Sequence, residues 1–246
     1  MTRVFDAFSY WRNSERWALE ARRWLWKTLA PDVEYTMVAC VGDRTHRGNP
    51  LPDGPPEVPD WVERLDVELN APGDWGRDEQ QRDAIWDYLQ GRIAVDDLVI
   101  VCDTDEIVDP RMLPMLKEHA QANDYVRVAM YLWMVGTTWR NQEPWTQGLI
   151  MRGDRLPPNV SKVRRDLATG FTSPIAGWHL SYFGSEDFID QKLGAFAHAE
   201  VDNDEMREAL RLIRAQGAGH MERVPLEGPL ADFLASREPS ASTLGG

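Results

Sequence analysis

The alternation of apolar and polar segments along the chain predicts a series of short strands and helices. Segments rich in β-branched and aromatic residues have the length of strands. Other segments carry apolar residues at helical spacing, with charged residues between them. The predicted strands are residues 4–10, 35–41, 62–69, 98–103, 125–135 and 148–152, with a short apolar piece at 181–183. The predicted helices end near residues 30, 90, 123, 196 and 216.

The boundaries of these elements carry residues that commonly begin and end helices. Asn13 or Ser14 is a suitable cap for the first helix, which Pro31 ends. Residues 43–60, rich in Gly, Pro and charge, and residues 153–174, with Pro and Arg, are predicted to be loops. Because strands and helices alternate in the first half of the chain, the predicted fold class is α/β with parallel strand pairing.

Length, charge and cysteine content narrow the classes to which the protein can belong. Its 246 residues suit a single domain, predicted at residues 1–235, with a disordered tail at 236–246. The net charge of −13 disfavours a nucleic-acid groove, because phosphate contacts need clustered Lys and Arg. The sequence has no membrane-length apolar run and no signal peptide, so we expect a cytoplasmic protein. Buried free thiols are the simpler interpretation of Cys40 and Cys102, and a disulfide between them stays open.

The most informative segment is the predicted strand that ends in Asp103-Thr104-Asp105-Glu106. Open α/β sheets bind ligands at the carboxyl ends of their strands. Hard divalent cations prefer carboxylate oxygens and leave coordination positions for phosphates. Two carboxylates one residue apart at a strand end therefore indicate a metal held against a phosphorylated substrate. A solvated turn after a core strand is the alternative, because Asp-x-Asp also occurs by chance.

Three later segments carry residue types that suit the same site. They are Gly177-Trp178-His179-Leu180-Ser181, Ser185-Glu186-Asp187 and Phe196-Ala197-His198. Together with Asp103-Thr104-Asp105-Glu106-Ile107 and Lys192-Leu193, they resemble glycosyltransferase family 17, the β-1,4-mannosyl-glycoprotein N-acetylglucosaminyltransferases and their relatives. Phe5-Asp6-Ala7-Phe8, Glu15, Arg22, Thr45 to Gly48 and Gln81-Arg82 also resemble family positions. The resemblance covers about residues 3–220.

The resemblance implies a GT-A fold, a nucleotide-diphosphate sugar as donor, with UDP the first candidate, and Mn²⁺ or Mg²⁺ as cofactor. Asp105 would contact the ion directly. Asp103 would contact the ion through water or hold the ribose of the donor, and His198 would be a third protein ligand of the ion. A bound cation acts as a Lewis acid on the departing diphosphate. Without a metal, His198 beside Glu200 is an ordinary surface histidine.

The resemblance also implies a set of donor-binding residues. They are Arg82, Asp103, Asp105, Glu106, Gly177, Trp178 and His179. Gly177 would let the backbone approach the sugar, and Trp178 offers a flat face to a sugar ring or packs in the core. His179 would donate to a phosphate or to the acceptor, or shape its loop. Arg82 would contact the nucleotide or pair with an aspartate of its own helix. The basic segment 152–165 is a mobile loop that closes over the diphosphate, or a solvated loop.

The Ser185-Glu186-Asp187 segment supplies the candidates for proton transfer. Inverting transfer needs a base that takes the proton of the acceptor hydroxyl, and in GT-A enzymes this is commonly a carboxylate at a helix start. Asp187 is therefore the predicted catalytic base, and Glu186 the predicted partner of an acceptor hydroxyl. The alternative is an ordinary helix start capped by Ser185.

The substrate and two other functions stay open. The chain has Gly-Trp-His-Leu-Ser-Tyr where the best-known branch of the family has Gly-Trp-His-Cys-Ser-Trp, which puts the donor sugar and the acceptor in doubt. A glycan or small molecule is the expected acceptor; nucleic acid is disfavoured, although a modified base stays open. A haloacid-dehalogenase-type phosphatase also has Asp-x-Asp after a strand, but Ile107 stands where Thr or Val is usual. The third option is a non-catalytic nucleotide- or carbohydrate-binding module on the same scaffold.

Overall fold

The computed structural model describes residues 2–195 and 197–237, which form one mixed β-sheet flanked by helices. The strands are β1 (Arg3–Tyr10), β2 (Glu34–Gly42), β3 (Glu63–Val67), β4 (Leu98–Asp103), β5 (Glu106–Val108), β6 (Val126–Met134), β7 (Trp139–Asn141), β8 (Trp145–Arg152), β9 (Phe171–Ser181) and β10 (Met221–Arg223). The helices are α1 (Arg16–Leu29), α2 (Asp74–Leu89), α3 (Leu113–Ala122), α4 (Val160–Arg165), α5 (Glu186–Ala195), α6 (Asp204–Gln216) and α7 (Pro229–Ser236).

The sheet has a parallel half and a mixed half. In the parallel half, β1 lies between β2 and β4, and β3 extends it at the edge beyond β2. Strand β8 runs antiparallel to both β4 and β6 and joins the two halves. In the mixed half, β9 is parallel to β6 and antiparallel to β5. The predicted α/β class and the parallel pairing of the early strands are confirmed, and the carboxyl ends of β4, β6 and β9 come to one edge.

Strand β4 is buried on both faces, which explains its continuous apolar run. Leu98 and Ile100 pack on the face covered by α1 and α3. Val99 and Val101 pack on the opposite face, against residues of α2 and α4. Strands covered on both sides lose the alternation of polar and apolar residues that marks a half-exposed strand. The apolar run therefore ends only at Asp103, the last residue of β4.

The first helix begins differently from the prediction. A 3₁₀ turn at Asn13–Glu15 precedes α1, and no side chain caps either element. Asn13 instead accepts a hydrogen bond from the backbone N–H of Glu57 through Oδ1 at 2.8 Å. The predicted capping role of Asn13 is therefore wrong, because its side chain fastens the long loop between β2 and β3.

The second half of the chain holds more regular structure than the sequence predicted. The predicted loop at 153–174 contains α4 and the start of β9, and the apolar piece at 181–183 begins at the last residue of that strand. Helix α7 covers the start of the predicted tail, and residues 238–246 lie outside the described residues. Cys40 and Cys102 are both buried free thiols. Among the described helices, none is long and apolar enough to cross a membrane.

Candidate active site

A cavity of about 550 Å³ lies where β4, β6 and β9 end. Its floor includes Asp103 and Asp105, and its walls come from α2, α4 and the mixed half of the sheet. Parallel pairing aligns Leu132 with His179 and Met134 with Ser181, so both strands present side chains to it. The described lining residues are Trp75, Asp78, Arg82, Asp103, Asp105, Leu132, Met134, Trp145, Gln147, Ser161, Arg164, Arg165, His179, Ser181, Tyr182, Lys192, Ala197 and His198.

Asp103 is the last residue of β4 and is held by two guanidinium groups. Arg82 Nη2 donates to its Oδ1 at 2.7 Å, and Arg164 Nη2 donates to its Oδ2 at 2.8 Å. Burial alone would raise the pKa of Asp103, but the charges of Arg164 and Arg82 outweigh it and hold the pKa below the usual value. Asp103 is therefore ionised at neutral pH, with 31% of its side chain exposed.

Asp105 faces the same cavity and is paired with a buried lysine. Lys192 Nζ donates to Asp105 Oδ2 at 2.7 Å, and His179 Nε2 lies 3.5 Å from Asp105 Oδ1. Burial would raise the pKa of Asp105, but Lys192 and His179 outweigh it and lower the pKa. Lys192 Nζ also lies 3.5 Å from Oε1 of Glu15, a carboxyl whose pKa burial raises to about 7. Asp105 is thus the more firmly ionised of the two carboxyl groups beside Lys192.

Arg22 fixes the backbone turn that carries the two aspartates. Its Nη2 donates to the carbonyl oxygens of Asp103 at 2.8 Å and Thr104 at 3.3 Å, and also to the carbonyl oxygen of Glu106. Its Nη1 donates to the fully buried carboxylate of Asp6 on β1. One guanidinium from α1 therefore ties together the end of β4 and the start of β5.

Glu106 lies behind the cavity rather than in its lining. Its carboxylate accepts from Arg164 Nη2 at 2.6 Å, from Trp145 Nε1 at 2.6 Å and from the backbone N–H of Asp103 at 3.0 Å. The side chain is completely buried. These contacts position Arg164 and Trp145, and the predicted direct contact of Glu106 with the donor stays a prediction.

Gly177 and Trp178 also serve the packing of the sheet. A Cβ on Gly177 would lie 2.4 Å from the carbonyl oxygen of Ile107, so only glycine lets β9 lie against β5. Trp178 is buried in a core cluster with Trp17 and Leu230 from α1 and α7. Neither residue is in the described lining of the cavity. Trp178 therefore has the core packing that was its alternative, and the backbone of β5 lies close to Gly177. The donor-binding roles of both residues stay predictions.

His198 lines the cavity but is not grouped with the aspartates. Its Nδ1 lies 2.6 Å from Glu200 Oε1, and its exposed ring meets the indole of Trp75 edge-on, with centroids 4.5 Å apart. Within residues 2–195 and 197–237, no group of three or more His, Cys, Asp or Glu is arranged to hold a metal ion. The part of His198 as a third ligand therefore stays a prediction, and its neighbour Phe196 lies outside the described residues.

Glu186 and Asp187 lie at the exposed start of α5 and are absent from the described cavity lining. Ser185 Oγ accepts from the backbone N–H of Phe188 at 3.2 Å, so the predicted capping alternative exists. Glu186 lies 3.9 Å from Arg211 on α6. The catalytic roles of both carboxylates stay predictions, and only the far end of α5, at Lys192, reaches the cavity.

The basic segment 152–165 contains helix α4, which forms one wall of the cavity and is held by hydrogen bonds. Ser161 Oγ and N–H both donate to Asp83 Oδ1, at 2.8 and 2.9 Å, and join α4 to α2. Buried Arg127 donates to the carbonyl oxygens of Val163 at 2.7 Å and Arg164 at 3.1 Å. The predicted mobile or solvated loop is therefore an anchored helix that aims Arg164 at the aspartates. Its short length and polar composition hid it from the periodicity of the sequence.

Comparisons with known proteins give only distant similarities. No protein-family model matches the chain, and no curated protein matches it. Among solved structures, TarS 1–349 from S. aureus is 12% identical, with 88% of this chain and 74% of that chain covered and a TM-score of 0.40. An active-site mutant of LgtC is 12% identical, with 98% of both chains covered and a TM-score of 0.37. The galactosyltransferase LgtC with donor and acceptor sugar analogues is 16% identical, with 80% and 66% covered and a TM-score of 0.31.

Proposed function

We propose that the protein is a glycosyltransferase that moves a sugar from a nucleotide-diphosphate donor, with UDP-sugars the first candidates, to a hydroxyl of a glycan or small molecule. The observation that carries the proposal is the pair Asp103 and Asp105, both ionised and both in one cavity at the carboxyl edge of the sheet. Ligands of open α/β sheets bind at this edge. The proposal includes a divalent ion, Mn²⁺ or Mg²⁺, and inversion at the anomeric carbon.

The charge balance of the site supports a divalent ion. The cavity aspartates and their ion-pair partners form two networks, which together hold more carboxylates than cations. A diphosphate entering such a network would be repelled unless further positive charge came with it. One network consists of Arg82 and Arg164 with Asp78, Asp103 and Glu106, and the other of Lys192 with Asp105.

The carboxylate ligands available in the cavity suit a metal ion that is shared with the substrate. Mg²⁺-like ions are commonly bound by one or two carboxylates plus substrate phosphates and water. Asp103 and Asp105 supply two such carboxylates, and carboxylate oxygens retain lone pairs beyond those used by one hydrogen bond. When bound, the ion would stabilise negative charge on the departing diphosphate. The protein's own contribution is to hold both carboxylates in fixed orientations through Arg82, Arg164 and Lys192, so that the site is ordered in advance.

Asp103 is a poor candidate for a phosphatase nucleophile. Each of its two carboxylate oxygens accepts a hydrogen bond from a different guanidinium, which draws charge from the atom that would attack. A nucleophilic carboxylate needs one oxygen directed at the phosphorus. This arrangement supports sugar transfer over the phosphatase alternative. For the proton transfer in an inverting reaction, Asp187 remains the proposed base.

The first experiment measures nucleotide release from UDP-sugars with Mn²⁺ and with EDTA. We expect release to require the metal and to be lost in Asp105→Asn, because one of the two carboxylates becomes neutral. Asp154→Asn is the matched control, since this aspartate forms an exposed pair with Arg152. Thermal unfolding gives a second readout. A UDP-sugar present at a hundred times its dissociation constant would add about 2.7 kcal/mol to the free energy of unfolding, a rise in melting temperature of roughly 5–10 °C.

Three results would contradict the proposal. They are the absence of turnover with every UDP-, GDP-, ADP- and CDP-sugar tried, turnover that EDTA leaves unchanged, and an Asp105→Asn variant with the activity of the wild type. The anomeric configuration of the product, determined by NMR, tests inversion separately. A retained configuration would remove the need for the Asp187 base and leave sugar transfer itself intact.

A further inference from the structure

Three cavity residues share one face of α2. Trp75, Asp78 and Arg82 are spaced by three and then four positions, which brings side chains to the same side of an α-helix. All three line the large cavity. The helical rise puts Trp75 about 10 Å from Arg82 along the axis, with Asp78 between them. The wall of the cavity is therefore a row of aromatic ring, carboxylate and guanidinium.

Each member of the row has a distinct chemical character. Trp75 is 40% exposed, among the largest exposed apolar side chains of the described residues. Asp78 pairs with Arg82 Nη1 and lies 3.5 Å from Nδ1 of His46. Arg82 then reaches Asp103, the aspartate at the proposed diphosphate position. The order along the helix is an aromatic surface, a hydrogen-bond acceptor and a cation next to the proposed metal-binding carboxylate.

The row also lies over the correct half of the sheet for a nucleotide. Helix α2 packs against β1, β2 and β3, the parallel half. In open α/β sheets, nucleotides bind over the carboxyl ends of parallel strands, and an acidic residue commonly accepts a hydrogen bond from the ribose. The mixed half of the sheet contributes Leu132, Met134 and Trp145 to the lining of the same cavity.

We propose that this face of α2 binds the nucleoside of the donor, with the base stacked on Trp75 and the ribose hydroxyls donating to Asp78. The inference rests on the proposed function, because Asp103 and Arg82 then mark the diphosphate end. The base covers the part of the indole that is otherwise in contact with solvent. Two side chains from other segments approach the same ring: the ring centroid of His198 lies 4.5 Å from that of Trp75, and Cζ of Arg165 lies 5.8 Å from it. Stacking tolerates any base, so Trp75 supplies affinity rather than base identity.

The test compares UDP with inorganic pyrophosphate, which lacks the nucleoside. Dissociation constants are measured by calorimetry with Mn²⁺ for the wild type, Trp75→Ala and Trp75→Phe. We expect Trp75→Ala to weaken UDP about tenfold or more and to leave pyrophosphate unchanged, and Trp75→Phe to be intermediate. Tyr131→Ala is the matched control, since this ring is 38% exposed and lies outside the described cavity lining. 2′-Deoxy-UDP should bind the wild type more weakly than UDP.

The outcomes separate this inference from the proposed function. Equal UDP affinity in Trp75→Ala and wild type overturns the proposal that the base stacks on Trp75, whatever the activity of the enzyme. A wild type that binds no nucleoside diphosphate better than pyrophosphate, with GDP, ADP and CDP tried beside UDP, also overturns it. If Trp75→Ala instead raises only the KM of the acceptor, the indole belongs to the acceptor site. Failure of sugar transfer with intact, Trp75-dependent UDP binding contradicts the proposed function alone.

Discussion

Replacing Arg22 by Met removes the guanidinium that supports the aspartate turn. Arg22 and its partner Asp6 are both essentially inaccessible to solvent, and the same guanidinium also donates to three carbonyl oxygens of residues 103–106. Removing one partner of a buried ion pair costs about 3–5 kcal/mol, because the other charge is left uncompensated. For a chain of this size each kcal/mol lowers the melting temperature by roughly 2–4 °C. We therefore expect a fall of roughly 6–20 °C.

Urea unfolding followed by tryptophan fluorescence measures the free energy directly. Arg23→Met is the matched control, because Arg23 is next on the helix and stacks over Trp61 at 4.5 Å, a half-buried cation–π contact worth about 1 kcal/mol. The double variant Arg22→Met with Asp6→Asn should regain part of the loss, since no buried charge is then stranded. A single Arg22→Met variant within 1 kcal/mol of the wild type, or a double variant no better than the single, would refute the reasoning.

Two further predictions concern residues that the sequence placed at the site. Gly177→Ala should destabilise the protein by about 1–3 kcal/mol, because its Cβ would meet the carbonyl oxygen of Ile107, whereas Gly194→Ala, with open space around it, should show no loss; equal melting temperatures for the two would contradict the packing role. Asp187→Asn should bind UDP normally while transfer falls by orders of magnitude, with Asp190→Asn as control on the same helix. Full turnover by Asp187→Asn would exclude it as the base.

The parallel half of the fold was predictable because its signals are local. Strands β1, β2 and β4 are buried runs of apolar residues, and each is followed by a break in the pattern. Strand β9 was not predictable, because its first residues, Phe171 and Thr172, are exposed and its pairing with β6 is irregular. A strand that is half exposed and bulged carries no clean period.

The floor of the site was predictable, but most of its walls were not. Asp103 and Asp105 follow a buried strand, and topology alone brings such positions to the ligand-binding edge. Trp75 faces the cavity only because α2 docks at a particular rotation, and no local pattern encodes that rotation. Gly177 and Trp178 were conspicuous for the opposite reason. Their residue types suit a sugar site, yet the sheet uses them for close packing.

The anchoring of α4 by Arg127 bears on how the chain can vary. Arg127 is buried, and it donates to backbone carbonyl oxygens of α4 and, at 2.9 Å, of Thr169. Every residue type has a backbone carbonyl, so the exposed residues of α4 can be substituted without loss of the hydrogen bonds from Arg127. Arg127 itself has no such freedom, because lysine has fewer donors and no planar fork to span several carbonyls. Among related sequences, we therefore expect substitutions in α4 to occur mainly at its exposed positions, while Arg127 is retained.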